Sequence, residues 1–559
     1  MEDSPLHSAR RSYQPDVPKI LSDLRRIRLQ PGQPSNAATD QQEIKRLFPK
    51  TYGQPRQRFV SEPDRVSASP LRIGLVLSGG QAAGGHNVIA GIFDAVQELD
   101  PRSVVYGFLG GPSGIVKAQY LTLTTELVDA YRNQGGFDMI GSGRTKIESA
   151  EQIAAAEKTA RALDLDGLVI IGGDDSNTNA AVLAEAFAQS GCRTRVVGVP
   201  KTIDGDLKTD EIEVSFGFDT ACKTFSDTIG SVARDAVSAG KYYFFIKLMG
   251  RSASHVAVEC ALQTHPNHVL VGEEVAAQRR TLRELTNEIA DTICARAAKG
   301  KDYGVILIPE GIIEFIPEFR ELIRELNTLL SPHESHAAKM ETMRTSADQS
   351  DYIQKLLSEA SVACFAALPR DIQEQLLLDR DPHGNVQVSK IETERLFIQT
   401  VTAELRRRKA TQEYSGKFSA QPLFMGYEGR SCLPSNFDAQ YCYALGRTAV
   451  VLIQHGQTGY LACVQGLTQP ASEWTAMGLP ITSLFHLELR HGSPKPVIRK
   501  ALVEVDGPVF QRLQAEREGW KADDAYRYPG PIQFYGPAVI TESRTETLRL
   551  ERQEAVLSS

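Results

Sequence analysis

Two short acidic segments carry the strongest chemical signal in this chain. Gly172-Gly173-Asp174-Asp175-Ser176 sets two adjacent carboxylates behind a glycine pair, where a helix is expected to start. One acid suffices to cap a helix and complement its dipole. A second one beside an anion site repels phosphate unless a cation bridges them. Mg²⁺ prefers one or two carboxylates completed by phosphate oxygens and water, so Asp174 is the candidate metal residue. Pro200-Lys201-Thr202-Ile203-Asp204-Gly205-Asp206 gathers a lysine, a hydroxyl and two acids in one stretch. An alcohol attacking a phosphoryl group needs a base for its proton and cations for the equatorial oxygens. Asp204 suits the base and Lys201 the cation.

Four further segments fit the same chemistry. Ser78-Gly79-Gly80-Gln81, followed by Gly84-Gly85, lets the backbone approach a phosphate closely. It is neither a Walker A loop nor a dinucleotide fingerprint, because both spacings are missing. Arg251, in Met249-Gly250-Arg251, has a guanidinium suited to gripping a sugar phosphate. Glu310, in Pro309-Glu310-Gly311, suits sugar hydroxyls. Tyr427-Glu428-Gly429-Arg430 forms the last cluster.

The elements that position these residues follow one grammar of apolar strand, glycine-rich turn and helix. It runs through Arg72–Ser78, Val104–Gly111, Asp166–Gly173, Arg195–Pro200, Lys241–Gly250 and Tyr303–Gly311, with helices expected over Val88–Leu99, Asn177–Gln189 and Ser254–Leu262. Such repetition predicts an α/β fold with mostly parallel sheets, whose ligands bind at the C-terminal strand ends. Every glycine-rich turn named here falls at such an end. Residues 1–70 read as a polar N-terminal arm with a short amphipathic helix around Ile20–Leu29. Residues 71–312 read as a body carrying the donor, metal and catalytic sites, and 313–410 as a helical insertion. Residues 411–495 read as a return to the sugar-phosphate-binding body. Residues 496–559 read as a C-terminal extension that alternates like β-structure and ends in a charged, mobile segment.

The bulk numbers set bounds. The chain has 559 residues, 42% of them hydrophobic and 23% charged, and a formal net charge of -7. These values describe a soluble globular protein. The acidic balance argues against a general nucleic-acid or membrane-surface binder. No signal-like segment and no membrane span are apparent. The 8 cysteines show no CxxC pair, which reads as reduced thiols in a cytoplasmic protein.

Taken together and in this order, the clusters resemble the phosphofructokinase family over roughly residues 70–490. GGDDS and PKTIDGD resemble its pyrophosphate-dependent branch. KYYFFIKLMGRSASHVAVECALQTHPN and MGYEGRSCLPSNFDAQYCYALG are similar to the long form that includes the plant β-type catalytic subunits. The resemblance implies two Rossmann-like lobes with mostly parallel sheets plus a helical insertion, and Mg²⁺ held by Asp174. It implies pyrophosphate at Gly79, Gly80, Arg144 and Lys201. Fructose 6-phosphate would contact Thr202, Ile203, Asp204, Met249, Gly250, Arg251, Glu310, Tyr427, Glu428, Gly429 and Arg430. Lys241 and Tyr242 match residues that family members contribute from a neighbouring subunit, so a homodimer or higher homo-oligomer is implied, with a related regulatory subunit as a further partner type. Ala83 stands where the family often has proline.

The donor follows from two positions. ATP-using relatives resemble one another in carrying glycine after the metal aspartate, where this chain has Asp175. A carboxylate there clashes with the α-phosphate of a nucleotide and mimics its charge. Lys201 also stands where those relatives carry glycine, and it adds positive charge for a donor that lacks adenosine. The reading is a reversible transfer from pyrophosphate to the 1-hydroxyl of fructose 6-phosphate, with Asp204, Lys201 and Asp175 as the catalytic set. The alternatives are an ATP-dependent 6-phosphofructokinase and a non-catalytic regulatory subunit.

Overall fold

The structure is a computed structural model that describes residues 4–65, 68–330, 335–380, 385–490 and 493–557. It divides into two units. The first comprises Met1–Ala221, Tyr427–Ala501 and Ile532–Arg549; the second comprises Cys222–Gly426, Leu502–Pro531 and Leu550–Ser559.

The first unit is built on a nine-stranded sheet. Its centre is parallel, in the order Tyr460–Gln465, Arg195–Pro200, Gly167–Gly172, Arg72–Leu77 and Val104–Phe108. Every residue of Gly167–Gly172 is buried, as expected for a strand covered on both faces. The edges are antiparallel. Helices Gly85–Leu99 and Asp174–Gln189 begin three residues earlier than their expected apolar runs, because the first turn of each holds the polar residues of a strand-end loop.

The N-terminal arm departs from expectation. Ile20–Leu29 forms two 3₁₀ turns, Lys19–Ser22 and Leu24–Arg26, and the start of a strand. Leu21, Leu24 and Ile27 are fully buried, and a three-residue spacing fits 3₁₀ geometry better than a helical stripe. Strands Ile27–Pro34 and Pro55–Ser61 then extend the sheet through Thr475–Pro480. Arg10, wholly buried, donates to Asn436 Oδ1 at 2.6 Å and to the Pro434 carbonyl at 2.7 Å.

The second unit holds a four-stranded parallel sheet, in the order Ala420–Met425, Tyr242–Leu248, Tyr303–Pro309 and His268–Val269. Described residues between 313 and 410 are mainly helical, and they share one core with this sheet. Phe319, Leu322, Phe365 and Leu396 pack in the same cluster as Tyr243, Phe245 and Ile306. Lys247, on the strand Tyr242–Leu248, is buried. It donates to the Ile391 carbonyl at 3.0 Å and faces Glu394 at 3.5 Å. The C-terminal extension is more helical than expected. Among the described residues β-structure ends at Ile498, and Pro508–Lys521 and Glu546–Leu557 are helices. Phe510, Leu513 and Trp520 lie on the buried side of the former, at helical spacing. No helix among the described residues is long and apolar enough to cross a membrane.

Candidate active site

The first unit gathers the acidic and glycine-rich clusters at the C-terminal ends of its parallel strands. Strand Arg72–Leu77 runs into Ser78-Gly79-Gly80. The Gly79 N–H donates to the Gly143 carbonyl at 2.9 Å, which ties the loop carrying Arg144 to this turn. Gly79 has φ +88, a conformation glycine adopts without steric cost. Strand Gly167–Gly172 runs into Asp174. Ser176 Oγ donates to Ser78 Oγ at 2.7 Å, and Asn177 Nδ2 donates to the carbonyls of Gly172 and Gly173 at 2.6 and 2.9 Å. These bonds lock the start of the helix to the glycine turn. Strand Arg195–Pro200 delivers Lys201, whose N–H donates to the Gly172 carbonyl at 2.9 Å.

Three cations surround the glycine pair. Lys201 is buried, and its Nζ donates to the Gly80 carbonyl at 2.7 Å. The point beside Gly80 where a Cβ would project lies 3.6 Å from Arg430 Nη1 and 3.7 Å from Arg144 Nη2. Burial pushes the Lys201 ammonium down to about 8, while Asp204 and Asp174 pull it back up. An ammonium and two guanidiniums around bare glycine backbone form a cradle suited to a small polyanion.

The carboxylates lie beside this cradle. Asp175 is exposed and ion-paired with Lys146 at 3.3 Å. The Asp204 N–H donates to Thr202 Oγ1 at 3.1 Å, and Ser215 Oγ donates to the Thr202 carbonyl at 3.0 Å. Ile203 is buried. Asp206 is buried too. Burial, then the charges of Asp204 and Asp174, push its carboxyl up to about 7, with Lys500 opposing. Lys500 Nζ lies 3.7 Å from an oxygen of Asp174 and 3.7 Å from one of Asp206.

The short helix Tyr427–Ser431 also belongs to the first unit. Tyr427 and Glu428 are exposed, Gly429 is buried, and the Arg430 guanidinium stacks 4.7 Å from the Tyr427 ring centroid. Arg430, expected among the sugar-phosphate residues, therefore stands next to Gly80.

The second unit gathers the other expected set at the end of strand Tyr242–Leu248. Met249 N–H donates to the Met425 carbonyl at 2.9 Å, and Glu310 N–H to the Leu248 carbonyl at 2.9 Å. Gly250 has φ +141, again glycine territory. Its N–H donates to Glu310 Oε2 at 3.0 Å. Glu310 is buried, and burial raises its carboxyl against the pull of that bond. Arg251 is exposed at the same turn. At the opposite end of the strand, Lys241 is exposed, with its Nζ 4.9 Å from the Tyr242 ring centroid. Tyr242 has φ +73, strain that a bulky residue carries at a cost of about 1–3 kcal/mol.

Sequence reasoning missed Lys146 and Lys500. Lys146 was within reach, since it follows Arg144 in the same loop. Lys500 carried no motif.

Comparison with known proteins places the chain. The profile of the family described as Phosphofructokinase matches residues 72–367. The pyrophosphate–fructose 6-phosphate 1-phosphotransferase of Treponema pallidum (strain Nichols) is 51% identical, covering 100% of this chain and 99% of that protein. Its namesake subunit beta 1 of Arabidopsis thaliana is 52% identical over 98% of this chain and 94% of its own length. Among solved structures, a pyrophosphate-dependent phosphofructokinase from Nitrosospira multiformis superposes with a TM-score of 0.54 at 14% identity. It covers 86% of this chain and 97% of that one, which shows a shared fold. The chain belongs to the phosphofructokinase family.

Proposed function

We propose that this protein transfers a phosphoryl group reversibly from pyrophosphate to the 1-hydroxyl of fructose 6-phosphate, giving fructose 1,6-bisphosphate and orthophosphate. The observation that carries this reading is the cradle of the first unit, where Lys201 is bonded to the Gly80 carbonyl and Asp175 follows Asp174. Relatives about half identical over the full length carry this activity in their names.

The residues suit a divalent cation that shares its ligands with the substrate. A single Lys500 ammonium reaches both Asp174 and Asp206, so two carboxylates converge on one point. Among the described residues no group of three or more His, Cys, Asp or Glu could hold a metal alone. This donor set fits Mg²⁺ completed by phosphate oxygens and water. When bound, Mg²⁺ neutralises charge on the transferring phosphoryl oxygens.

The chain's own groups do the rest. Gly79 and Gly80 let the donor approach the backbone, and Arg144 and Arg430 grip its oxygens. Lys201 stabilises the charge that grows on the leaving phosphate. Asp204 takes the proton of the attacking 1-hydroxyl, with Thr202 and Ile203 shaping the loop. Asp175 fills the space of a nucleotide α-phosphate. Met249, Gly250, Arg251, Glu310, Tyr427, Glu428 and Gly429 are assigned to the sugar phosphate from the family resemblance. We read Lys241 and Tyr242 as offered to a second copy of the chain, and hence the enzyme as an oligomer. All eight cysteines are free of disulfides, which suits the cytoplasm.

The chain purified alone, given pyrophosphate, fructose 6-phosphate and Mg²⁺, is expected to release orthophosphate and fructose 1,6-bisphosphate one for one, and to run backwards when given both products. No turnover by the lone chain would reject the proposal in favour of a regulatory subunit.

A further inference from the structure

Lys500 lies outside every motif described above, yet the fold delivers it to the acidic cluster. It follows the antiparallel hairpin of Phe485–Arg490 and Ser493–Ile498. The next residue, Ala501, donates its N–H to the Asp206 carbonyl at 2.8 Å. That bond sets the register of the lysine against the loop carrying Asp204 and Asp206. Its Nζ reaches Asp174 Oδ2 and Asp206 Oδ2 at 3.7 Å each. The Asp206 side chain is only 7% exposed and that of Lys500 33%, so water screens the trio incompletely.

Two carboxylates that converge on one point repel each other unless a cation stands between them. Here a tethered ammonium supplies that cation. We propose that Lys500 is a built-in counter-ion of the divalent-cation site, and that it couples metal binding to pyrophosphate binding. The inference rests on the function proposed above and adds an order of loading to it.

The charge balance gives the direction. With both carboxylates ionised, Asp174, Asp206 and Lys500 together carry a single net negative charge. A bare divalent cation must break two ion pairs and then stand beside a displaced ammonium. A cation that arrives with pyrophosphate brings phosphate oxygens that compensate the ammonium, so the penalty disappears. Lys500 therefore weakens the affinity for metal alone and leaves the affinity for the metal–pyrophosphate pair largely intact.

Mn²⁺ binding to the full-length protein, read from the EPR signal of unbound Mn²⁺, tests this without turnover. It is measured with and without imidodiphosphate, a pyrophosphate analogue whose bridge resists hydrolysis. Lys500→Met is expected to bind Mn²⁺ alone about tenfold more tightly than the parent, from the loss of a positive charge at near-contact distance. The factor by which imidodiphosphate tightens Mn²⁺ binding is expected to shrink correspondingly. Lys500→Gln serves as a second neutral variant should the first fail to fold. Lys500→Arg, which keeps the charge, is expected to behave like the parent. Asp174→Asn is expected to lose Mn²⁺ binding in both backgrounds. If the neutral variants match the parent while Asp174→Asn loses Mn²⁺, the role of Lys500 is overturned and the metal assignment stands. If Asp174→Asn binds Mn²⁺ like the parent, the metal assignment itself falls, and this inference with it.

Discussion

The Lys201 ammonium donates a 2.7 Å hydrogen bond to the Gly80 carbonyl oxygen, joining the ends of two parallel strands at the turn where a polyanion would lie. Burial makes that ammonium a strong partner for phosphate, because little water competes. The same burial makes its proton easier to lose.

Activity should therefore fall on the alkaline side. Lys201 is pushed down to about 8, so it is charged below that pH and neutral above it. On the proposed function, the charged form is the one that binds pyrophosphate. kcat/KM for pyrophosphate is expected to decline as pH rises through about 8. Lys201→Arg keeps its charge, and its profile should lack that limb. A limb shared unchanged by both proteins would assign the titration elsewhere.

Donor choice should move with two residues. Asp175 is held by Lys146 at 3.3 Å beside Asp174, and Lys201 supplies charge that a nucleotide does not need. Asp175→Gly combined with Lys201→Gly is expected to raise the ATP-to-pyrophosphate ratio of kcat/KM. Assays with both donors check it, and an unchanged ratio would remove the steric and electrostatic account of specificity.

Asp204→Ala should cost about 10²–10⁴-fold in kcat, the usual effect of losing a general base. Affinity for pyrophosphate should change far less. Near-parental kcat would reject Asp204 as the proton acceptor.

The second unit offers a stability test. Lys247 and Glu394 form an ion pair, both nearly inaccessible to solvent, with Nζ also bonded to the Ile391 carbonyl. Glu394→Ala strands a buried ammonium and should destabilise the fold by about 3–5 kcal/mol. Denaturant titration followed by circular dichroism measures it. A loss below about 1 kcal/mol would mean that Lys247 reaches water or another acceptor.

Local signals were legible in the sequence, and distant ones were not. Continuous apolar runs such as Gly167–Gly172 announced parallel strands, and the glycines and aspartates that end them announced phosphate chemistry, because strand end, turn and helix start are contiguous in sequence. The placement of Arg430 beside Gly80 and of Lys500 beside Asp174 depends on packing between segments far apart in the chain, which no short motif encodes. The arm misled for a different reason. Leu21, Leu24 and Ile27 suggest one face of a helix, but their spacing equally serves 3₁₀ turns that lead into an edge strand. In the tail, the many charges of Pro508–Lys521 masked a helix anchored by Phe510, Leu513 and Trp520.

The most direct measurement is the donor panel: kcat/KM of the purified protein for fructose 6-phosphate phosphorylation with pyrophosphate and with ATP, each with Mg²⁺. The account predicts robust turnover with pyrophosphate and little or none with ATP. Turnover with ATP equal to or faster than with pyrophosphate would contradict it.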